Sequence, residues 1–571
     1  MKNYFSLIAV FVISAFLLCT RIFYTDQNEK LPIKVTTWDA LGYYLYLPST
    51  HIYHDDTSFK WFAAIDSTYQ LSGGTFYQAQ PHSNGHLVYK YLRGVSILQA
   101  PFYFSAHLYA KFSKHYPADG FSLPYQYAIA YAALFYCILA LFLLRTVLLR
   151  YYKDSVVALT LFGLILASNA IQYIAIEGGQ SHAYIFALYA FVLYTTIRWH
   201  ETYKLGWMFL TGLIIGLATI SRPTELIMLF IPLLWQLNDK TLWNEKWSIL
   251  RKNTWQIPLC LMGGLIGILP QLMYWKRITG SWIYDVGSKW DFLNPHFRVL
   301  FGWEKGWFIY TPISIFFVLG FWFLKGKKFK TAVVTFCLLN IYIIIAWHIW
   351  RYGGSYSTRA LVQSYPVFAL PLAGYIDYVW TKKLKWFFGL LCAYLIGLNT
   401  IQIYQYNKGI LHYDEMNAQY YAAIYLDLYP TALDMSLLDT DVHITDEYHY
   451  THQTIVKQNR EIELTSNPIL YQDTLKIQTN YHHHFVNINA SINSFNNLWG
   501  QHLLVTAVSN SDTTSQHFRL NHPLAKENKP NQYSCFVELP KSDSNIVITL
   551  SIPSSTYQGI LSSFELTYLY N

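Results

Sequence analysis

Charge is what this sequence has least of. Asp, Glu, Lys and Arg make up 13% of its 571 residues, about half of the roughly 25% usual in a soluble domain. A chain so poor in charge is built for lipid rather than water as its main solvent. The formal net charge is +8, but a nucleic-acid binder would gather its basic residues on one exposed face. Here they fall in short clusters between apolar runs, as signals of membrane topology do. Cysteine is scarce as well, with six in the chain. Cys19, Cys137, Cys260, Cys337 and Cys392 lie in or beside apolar runs, Cys535 alone lies in the polar tail, and no Cys-X-X-Cys pair occurs. That excludes a disulfide framework and a cysteine-ligated zinc site.

What the chain does have is apolar and aromatic side chains, 53% and 18% of the total. A helix needs roughly 20 apolar residues to cross a bilayer. Candidate spans run near 4–24, 125–149, 155–176, 181–198, 206–221, 223–238, 256–275, 307–324, 331–350, 361–380 and 385–405. Lys2 followed by the run from Tyr4 to Thr20 has the makings of a signal peptide. Leu18 is too large for a lipoprotein cleavage site before Cys19, so the run reads as an uncleaved first span.

With the N-terminus inside, the inner connections carry Arg145, Arg150 and Lys153; Arg198 and Lys204; Lys240, Lys246, Arg251 and Lys252; Lys325, Lys327, Lys328 and Lys330; and Lys382, Lys383 and Lys385. Each is basic, as the positive-inside rule requires. Residues 94–112 are apolar enough to suggest a further crossing, but counting them would put the Arg145 cluster outside. Pro101, Gln99 and His107, with aromatics between, suit an interfacial or re-entrant helix instead.

The expected fold is therefore a polytopic α-helical membrane domain over 1–405, with about eleven transmembrane helices. Outer loops 25–124 and 276–306 interrupt it. A helical connector over 406–440 and a mainly β, sandwich-like domain over 441–571 follow. The tail is rich in Asn, Ser, Thr, Asp and His, and stretches such as Asn545–Ile552 and Leu561–Tyr570 alternate as strands do. The orientation puts the N-terminus in the cytoplasm and the β domain on the periplasmic or extracellular side of the inner (plasma) membrane.

Polar groups at the ends of spans need a reason to be there, and in this orientation they converge on the outer face. Asp39 opens Trp38-Asp39-Ala40-Leu41-Gly42-Tyr43-Tyr44 just after the first span. Glu177-Gly178-Gly179-Gln180-Ser181-His182 forms a tight outer turn, where glycine lets backbone approach a ligand. Ser221-Arg222-Pro223 makes another, with Glu225 one helical turn on; the arginine pairs either with Glu225 or with an anionic ligand. The strongest pattern is Trp347-His348-Ile349-Trp350-Arg351-Tyr352-Gly353-Gly354-Ser355-Tyr356-Ser357-Thr358-Arg359. Guanidinium forks suit phosphate oxygens, and amides freed by glycine add donors. A lipid-headgroup anchor would need no Gly-Gly-Ser. In the tail, His482-His483-His484 and Glu447, His449 and His452 lack fixed ligand spacing and read as surface residues rather than a metal site.

Taken together, these motifs resemble the GT-C superfamily of membrane glycosyltransferases, in particular its glycosyltransferase-39-like and protein-mannosyltransferase-like branch. Asp39 with Tyr43 and Tyr44 is similar to that family's acidic first outer loop, His182 to its span-opening histidine, and Arg222-Pro223 to its outer Arg-Pro. Leu300–Pro312, with Lys305 and Tyr310, resembles its glycine-aromatic lead into a later span. The segment from Trp350 to Arg359, a few residues before Pro366, is similar to its Trp-Gly-Gly, Arg and Pro element. Two departures stand beside these. Asp39 is single where many members pair two acids, Asp55 and Asp56 lying farther on, and a C-terminal sandwich is not a defining part of the family.

The resemblance implies an enzyme that moves a sugar from a polyprenyl-phosphate donor to an acceptor hydroxyl on a lipid, glycan or protein at the outer face. Asp39 would be the base of an inverting displacement, Arg351, Arg359 and Arg222 would hold the donor phosphate, and His182, Tyr43, Tyr44, Glu177, Lys305 and Tyr310 would position substrate. Phosphate leaves as a stable anion, so a second carboxylic acid of the kind glycosidases use is not needed. No cofactor is assigned, and a divalent metal stays an open alternative. A transporter or flippase of a lipid-linked glycan would show midplane polar sites and an internal repeat, neither of which is evident. A non-catalytic membrane protein displaying a binding domain would leave Asp39 and the arginines without a use.

Overall fold

Each apolar run forms helix for the reason its composition gives: in lipid, a backbone must satisfy its own polar groups. The computed structural model describes residues 4–26, 31–442, 444, 447–466, 468–478, 480–496, 498–510, 512–541 and 545–571; Lys2, read with the first span, lies outside them. Four helices are long and apolar enough to cross a membrane: Tyr4–Phe23, Leu123–Leu148, Gln256–Thr279 and Lys385–Asn407. Five shorter apolar stretches are Asp154–Leu166, Leu205–Thr219, Pro223–Leu234, Ser314–Leu324 and Lys330–Ile345. The chain is a multi-pass membrane protein.

Several of the expected spans are broken rather than continuous. Pro223 opens a 3-10 turn ahead of the helix Phe230–Leu234. Asp154–Leu166 is followed by a π turn at Gln172–Ile176, and a 3-10 turn at Arg359–Ser364 leads into Tyr365–Trp380. Proline explains the first break, because it lacks the amide that continues a helix. The π turn and the Arg359 turn both lie beside the polar cluster described below.

Residues 94–112 form one helix, Gly94–Phe112, with Pro101 inside it. It has the length of a span but is not among the four apolar ones, because Gln99, His107 and Lys111 dilute it. Its first residue packs on the Ser221 turn. The Gly94 amide donates to the Ile220 carbonyl at 2.7 Å, and a Cβ on Gly94 would lie 2.2 Å from Ser221 Oγ.

The first outer loop has a core of its own, built from Tyr44, Tyr46, Phe59, Phe62, Tyr89 and Phe121 among others. It includes the short helix Trp38–Tyr44 and a hairpin of β1 (Ala79–Pro81) and β2 (Leu87–Tyr89). Asp55 and Asp56 serve this loop structurally. Asp55 accepts from the amides of Thr57, Ser58 and Lys60, and Asp56 binds both terminal nitrogens of Arg277.

The chain divides into two compact units, Met1–Thr400 and Ile401–Asn571. The second holds two antiparallel sheets. One runs β5 (Ile469–Leu475), β10 (Ile546–Ser551), β7 (His502–Val508), β8 (Thr513–Arg519). The other runs β3 (Thr451–Gln458), β11 (Gly559–Tyr570), β6 (His484–Ser494), β9 (Pro530–Glu538), with β4 (Ile462–Leu464) also on β11. Val486, Ile488 and Ile492 of one sheet meet Val505, Ile548 and Leu550 of the other in a single apolar core, with inward alternation clearest along β7 and β10. The connector forms two short helices, Ala418–Ala423 and Ala432–Ser436. His484 is fixed between the Tyr568 hydroxyl at 2.7 Å and the Tyr481 carbonyl at 3.0 Å, and His452 meets the Glu447 carbonyl at 2.9 Å.

Candidate functional site

Asp39 reaches its place through two local devices. The Gln126 side chain accepts from the amides of Val35 and Thr36 at 3.0 and 3.2 Å and donates to the Thr36 hydroxyl at 2.7 Å. That ties the segment before Asp39 to the helix Leu123–Leu148. The glycine turn at 178–179 accepts the same segment. A Cβ on Gly179 would stand 1.9 Å from the Val35 carbonyl oxygen, so only glycine lets the two backbones touch. Asp39 is thereby set beside the Glu177–His182 turn, far away in sequence.

The carboxylate is then surrounded by donors. Asp39 Oδ1 accepts from Tyr91 at 2.5 Å and Tyr77 at 3.0 Å, and Oδ2 accepts from Arg359 Nη2 at 2.5 Å. Tyr91 gets close because Gly42 has no side chain: a Cβ there would lie 2.0 Å from Tyr91 Cδ2. The Asp39 side chain keeps 26% of its surface exposed, whereas that of Arg359 keeps 8%. Burial alone would raise the Asp39 pKa, but the Arg359 charge and the hydrogen bonds from Tyr91, Arg359 and Tyr77 outweigh it and hold the carboxyl below its ordinary value. Arg359 responds in the opposite sense. Burial would lower it, yet Asp39, Tyr173 and Glu177 keep it charged beyond its usual range.

Arg359 carries the network to a second carboxylate. Its Nη1 donates to Gln180 Oε1 at 3.0 Å, and Gln180 Nε2 donates to Glu177 Oε2 at 2.8 Å. Gln172 holds the other oxygen of Glu177 at 2.9 Å. Burial raises the Glu177 pKa, and Gln172 and Arg359 offset that only in part. Arg359 Nε is buried and has no hydrogen-bond partner among the described residues. The guanidinium therefore has donor capacity that none of the described residues uses.

The segment leading to Arg359 is irregular and pinned. Tyr352, Gly353 and Ser357 all have left-handed backbone, with φ of 55°, 64° and 54°. Lys305, buried, donates to the Gly353 carbonyl and to Ser355 Oγ at 3.1 Å. Thr358 Oγ1 donates to the carbonyls of Val299 and Lys305 at 2.7 and 3.1 Å. Tyr310 supports the same segment, its hydroxyl donating to the Trp303 carbonyl while its own carbonyl accepts from Tyr356.

The remaining sequence-derived residues fall into two groups. Arg222, Tyr43 and His182 lie close to the cluster. The ring of Tyr43 is 4.9 Å from that of Tyr91. Burial would lower the Arg222 pKa, and neighbouring Tyr43 and Glu225 more than compensate while Arg359 acts against them. His182 is fully buried, 5.2 Å from the Tyr173 ring, with Arg222, Arg359 and the Gln363 amide as polar surroundings. Glu225 accepts from Tyr189, Gln363 and Thr224. Arg351 and Tyr44 are elsewhere. Arg351 is exposed, its guanidinium 5.3 Å from the Trp350 ring. Tyr44 is buried in the loop core and donates to the Gly120 carbonyl.

Tyr77, Tyr91, Gln172 and Gln180 were not singled out from the sequence. Only Gln180 carried a local signal, since it sits inside the Glu177–His182 turn.

No protein-family model matches the chain, and no curated protein matches it. Among solved structures, matches include the apo oligosaccharyltransferase of Archaeoglobus fulgidus, 13% identical over 75% of this chain and 60% of that one, with a TM-score of 0.42. The chain thus spans less than two thirds of that relative's length. They also include ArnT from Cupriavidus metallidurans bound to undecaprenyl phosphate, 13% identical over 75% of this chain and 70% of that one, TM-score 0.44. A third is the arabinosyltransferase EmbB from Mycobacterium smegmatis, 10% identical over 97% of this chain and 64% of that one, TM-score 0.31.

Proposed function

We propose that this protein is a membrane glycosyltransferase that moves a sugar from a polyprenyl-phosphate donor to an acceptor hydroxyl at the outer face of the membrane. The observation that carries the reading is the contact between Asp39 and Arg359. A base candidate and a buried cation with an unused donor meet across some 320 residues of chain. Donor phosphate competes with Asp39 for the Arg359 guanidinium, a bidentate partner suited to phosphate oxygens. Asp39, relieved of that partner, gains basicity at the moment the donor is seated.

The acceptor hydroxyl then attacks the anomeric carbon and its proton passes to an Asp39 oxygen. The bond from the anomeric carbon to phosphate breaks, and the electron pair leaves with polyprenyl phosphate. Stabilisation of that developing charge by pre-organised Arg359 is the main electrostatic contribution. Arg222 and Lys305 support the anionic donor, and Tyr43, His182, Glu177 and Tyr310 shape the site. Arg351, exposed beside Trp350 and apart from the cluster, meets the approaching lipid phosphate first. No resident metal is called on for these steps. The inward basic connections support an orientation with the N-terminus in the cytoplasm.

The test is binding of undecaprenyl phosphate to the full chain in nanodiscs. Arg359→Ala is expected to weaken it at least tenfold, about 1.4 kcal/mol, and Asp39→Asn to leave it equal or tighter. Unchanged affinity in Arg359→Ala would remove the phosphate assignment. Cysteines placed at positions 39 and 355 should label from the outside; labelling only from the cytoplasm would sink the site model.

A further inference from the structure

The first outer loop contains an open groove of about 870 Å³ that none of the steps above uses. Its floor is aromatic, with Phe59 and Phe62 each packed on Phe76 at ring separations of 5.4 and 4.6 Å. Its rim is uncharged and polar, from Ser58, Ser67 and Gln70. No Lys, Arg or His lines it among the described residues. Asp66, the one charged lining residue, is committed to its own turn, accepting from the amides of Leu71 and Ser72 at 2.8 Å each. Such a lining gives an anionic group nothing to neutralise it, so the phosphate of a lipid donor does not belong there.

Two lining residues, Phe76 and Gly73, connect the groove to the surroundings of Asp39. Phe76 is followed by Tyr77, which donates to Asp39 Oδ1. Gly73 carries the indole of Trp38, the residue before Asp39: a Cβ on Gly73 would stand 2.2 Å from Trp38 Cη2. Trp38 has left-handed backbone, with φ of 51°, which costs a non-glycine residue of order 1–3 kcal/mol. It is kept there by its amide donating to the Leu71 carbonyl at 3.2 Å and its carbonyl accepting from Gln78 Nε2 at 3.1 Å. In that posture the residue stays 57% exposed. A strained backbone that holds an exposed indole against Gly73 of the groove, one residue before Asp39, is what an acceptor platform requires.

We infer that this groove is the acceptor subsite and that its occupant is a neutral saccharide chain. One sugar face lies on Trp38, and the hydroxyl to be glycosylated points to Asp39. The aromatic floor and the Ser and Gln rim match the apolar faces and hydroxyl edges of pyranose rings. The inference rests on the glycosyltransferase reading and names the acceptor it leaves open.

The experiment is saturation-transfer NMR on the full chain in detergent with maltotriose, cellotriose and mannotriose, and with a Ser/Thr-containing tetrapeptide as the rival. Ser67→Trp and Ala63→Trp fill the groove from exposed positions away from the Asp39 network. At least one trisaccharide is expected to saturate on the wild type, with the signal falling at least fivefold in both variants. A signal unchanged in the variants, saturation of the peptide alone, or saturation of none of the four ligands would overturn the inference. Undecaprenyl phosphate binding by the same preparations separates the two failures. If it persists while the groove result fails, only the acceptor assignment falls. If the wild type does not bind it, the transferase reading falls as well.

Discussion

Two arginines in two different units each meet an aspartate, and they do so differently. In the C-terminal unit, Arg519 donates through Nε and Nη2 to Asp439 at 2.8 and 2.6 Å, and its Nη1 reaches Glu415 at 2.9 Å and His412 at 3.3 Å. Each guanidinium nitrogen is used, and the result fastens the connector to β8. In the membrane unit, Arg359 spends one nitrogen on Asp39 and one on Gln180, and leaves Nε without a partner among the described residues. Arg277 binds both oxygens of Asp56 within that unit, but from a side chain that stays 55% exposed. A saturated pair in a buried place is architecture. An unsaturated one, with a partly exposed carboxylate and spare donor capacity, is a place for a ligand.

The contrast breaks most sharply at the base. Asp39→Asn is expected to lower the transfer rate by 10²–10⁴-fold, the range for loss of a general base, while the folded chain still binds donor. Transfer at the normal rate would show that the Asp39–Arg359 pair is only architecture. Arg519→Ala should do the reverse. It leaves Asp439 buried without its cation, at a cost of about 3 kcal/mol, seen as a lower unfolding midpoint of the β unit while donor binding in the membrane unit is kept. A loss of donor binding in that variant would erase the distinction.

The next effect is on pH. The Asp39 pKa is held down mainly by Arg359 and next by the tyrosines, against the effect of burial. The activity that needs ionised Asp39 is therefore present at neutral pH and lost as pH falls through that lowered value. Tyr91→Phe removes one donor to the carboxylate and should move the acidic limb of the pH–rate profile upward by about one unit, since one unit is about 1.4 kcal/mol. A downward shift would contradict the geometry. The pair's contribution to stability follows the same sign, complete above the ordinary carboxylate range and lost in acid. Gly42→Ala is the smallest change. Its Cβ must displace Tyr91, so its acidic limb should move the same way as in Tyr91→Phe, by no more, and the double variant should add little to Tyr91→Phe alone. Full additivity would mean that Gly42 acts elsewhere.

Much of this site was legible at the level of segments. Asp39, the Glu177–His182 turn, Arg222 and Arg359 each stand out because a polar or glycine-rich break at the end of an apolar run needs a reason. The division of labour within them was not legible. Arg351 and Arg359 flank the same glycines and look equivalent in sequence. The left-handed residues at 352, 353 and 357 turn the chain so that one is buried against Asp39 and the other stays outside on Trp350. Tyr43 and Tyr44 are likewise adjacent, yet on a helix they point about 100° apart, one toward the cluster and one into the loop core. Tyr77 and Tyr91 are two among 49 tyrosines, and nothing local marks them.

The sequence by itself determined the solvent, the helices and the alternating strands of the tail, because these follow from composition and from periods of 3.6 and 2 residues along one stretch of chain. It determined which short segments carry polar groups that lipid would reject. Which of those groups meet was decided by tertiary structure alone. Asp39 and Arg359 are joined by the missing side chains of Gly42 and Gly179, the Gln126 tether and the fold of the first outer loop. Those are close approaches between distant parts of the chain, and a close approach leaves no trace in the spacing of residues along it.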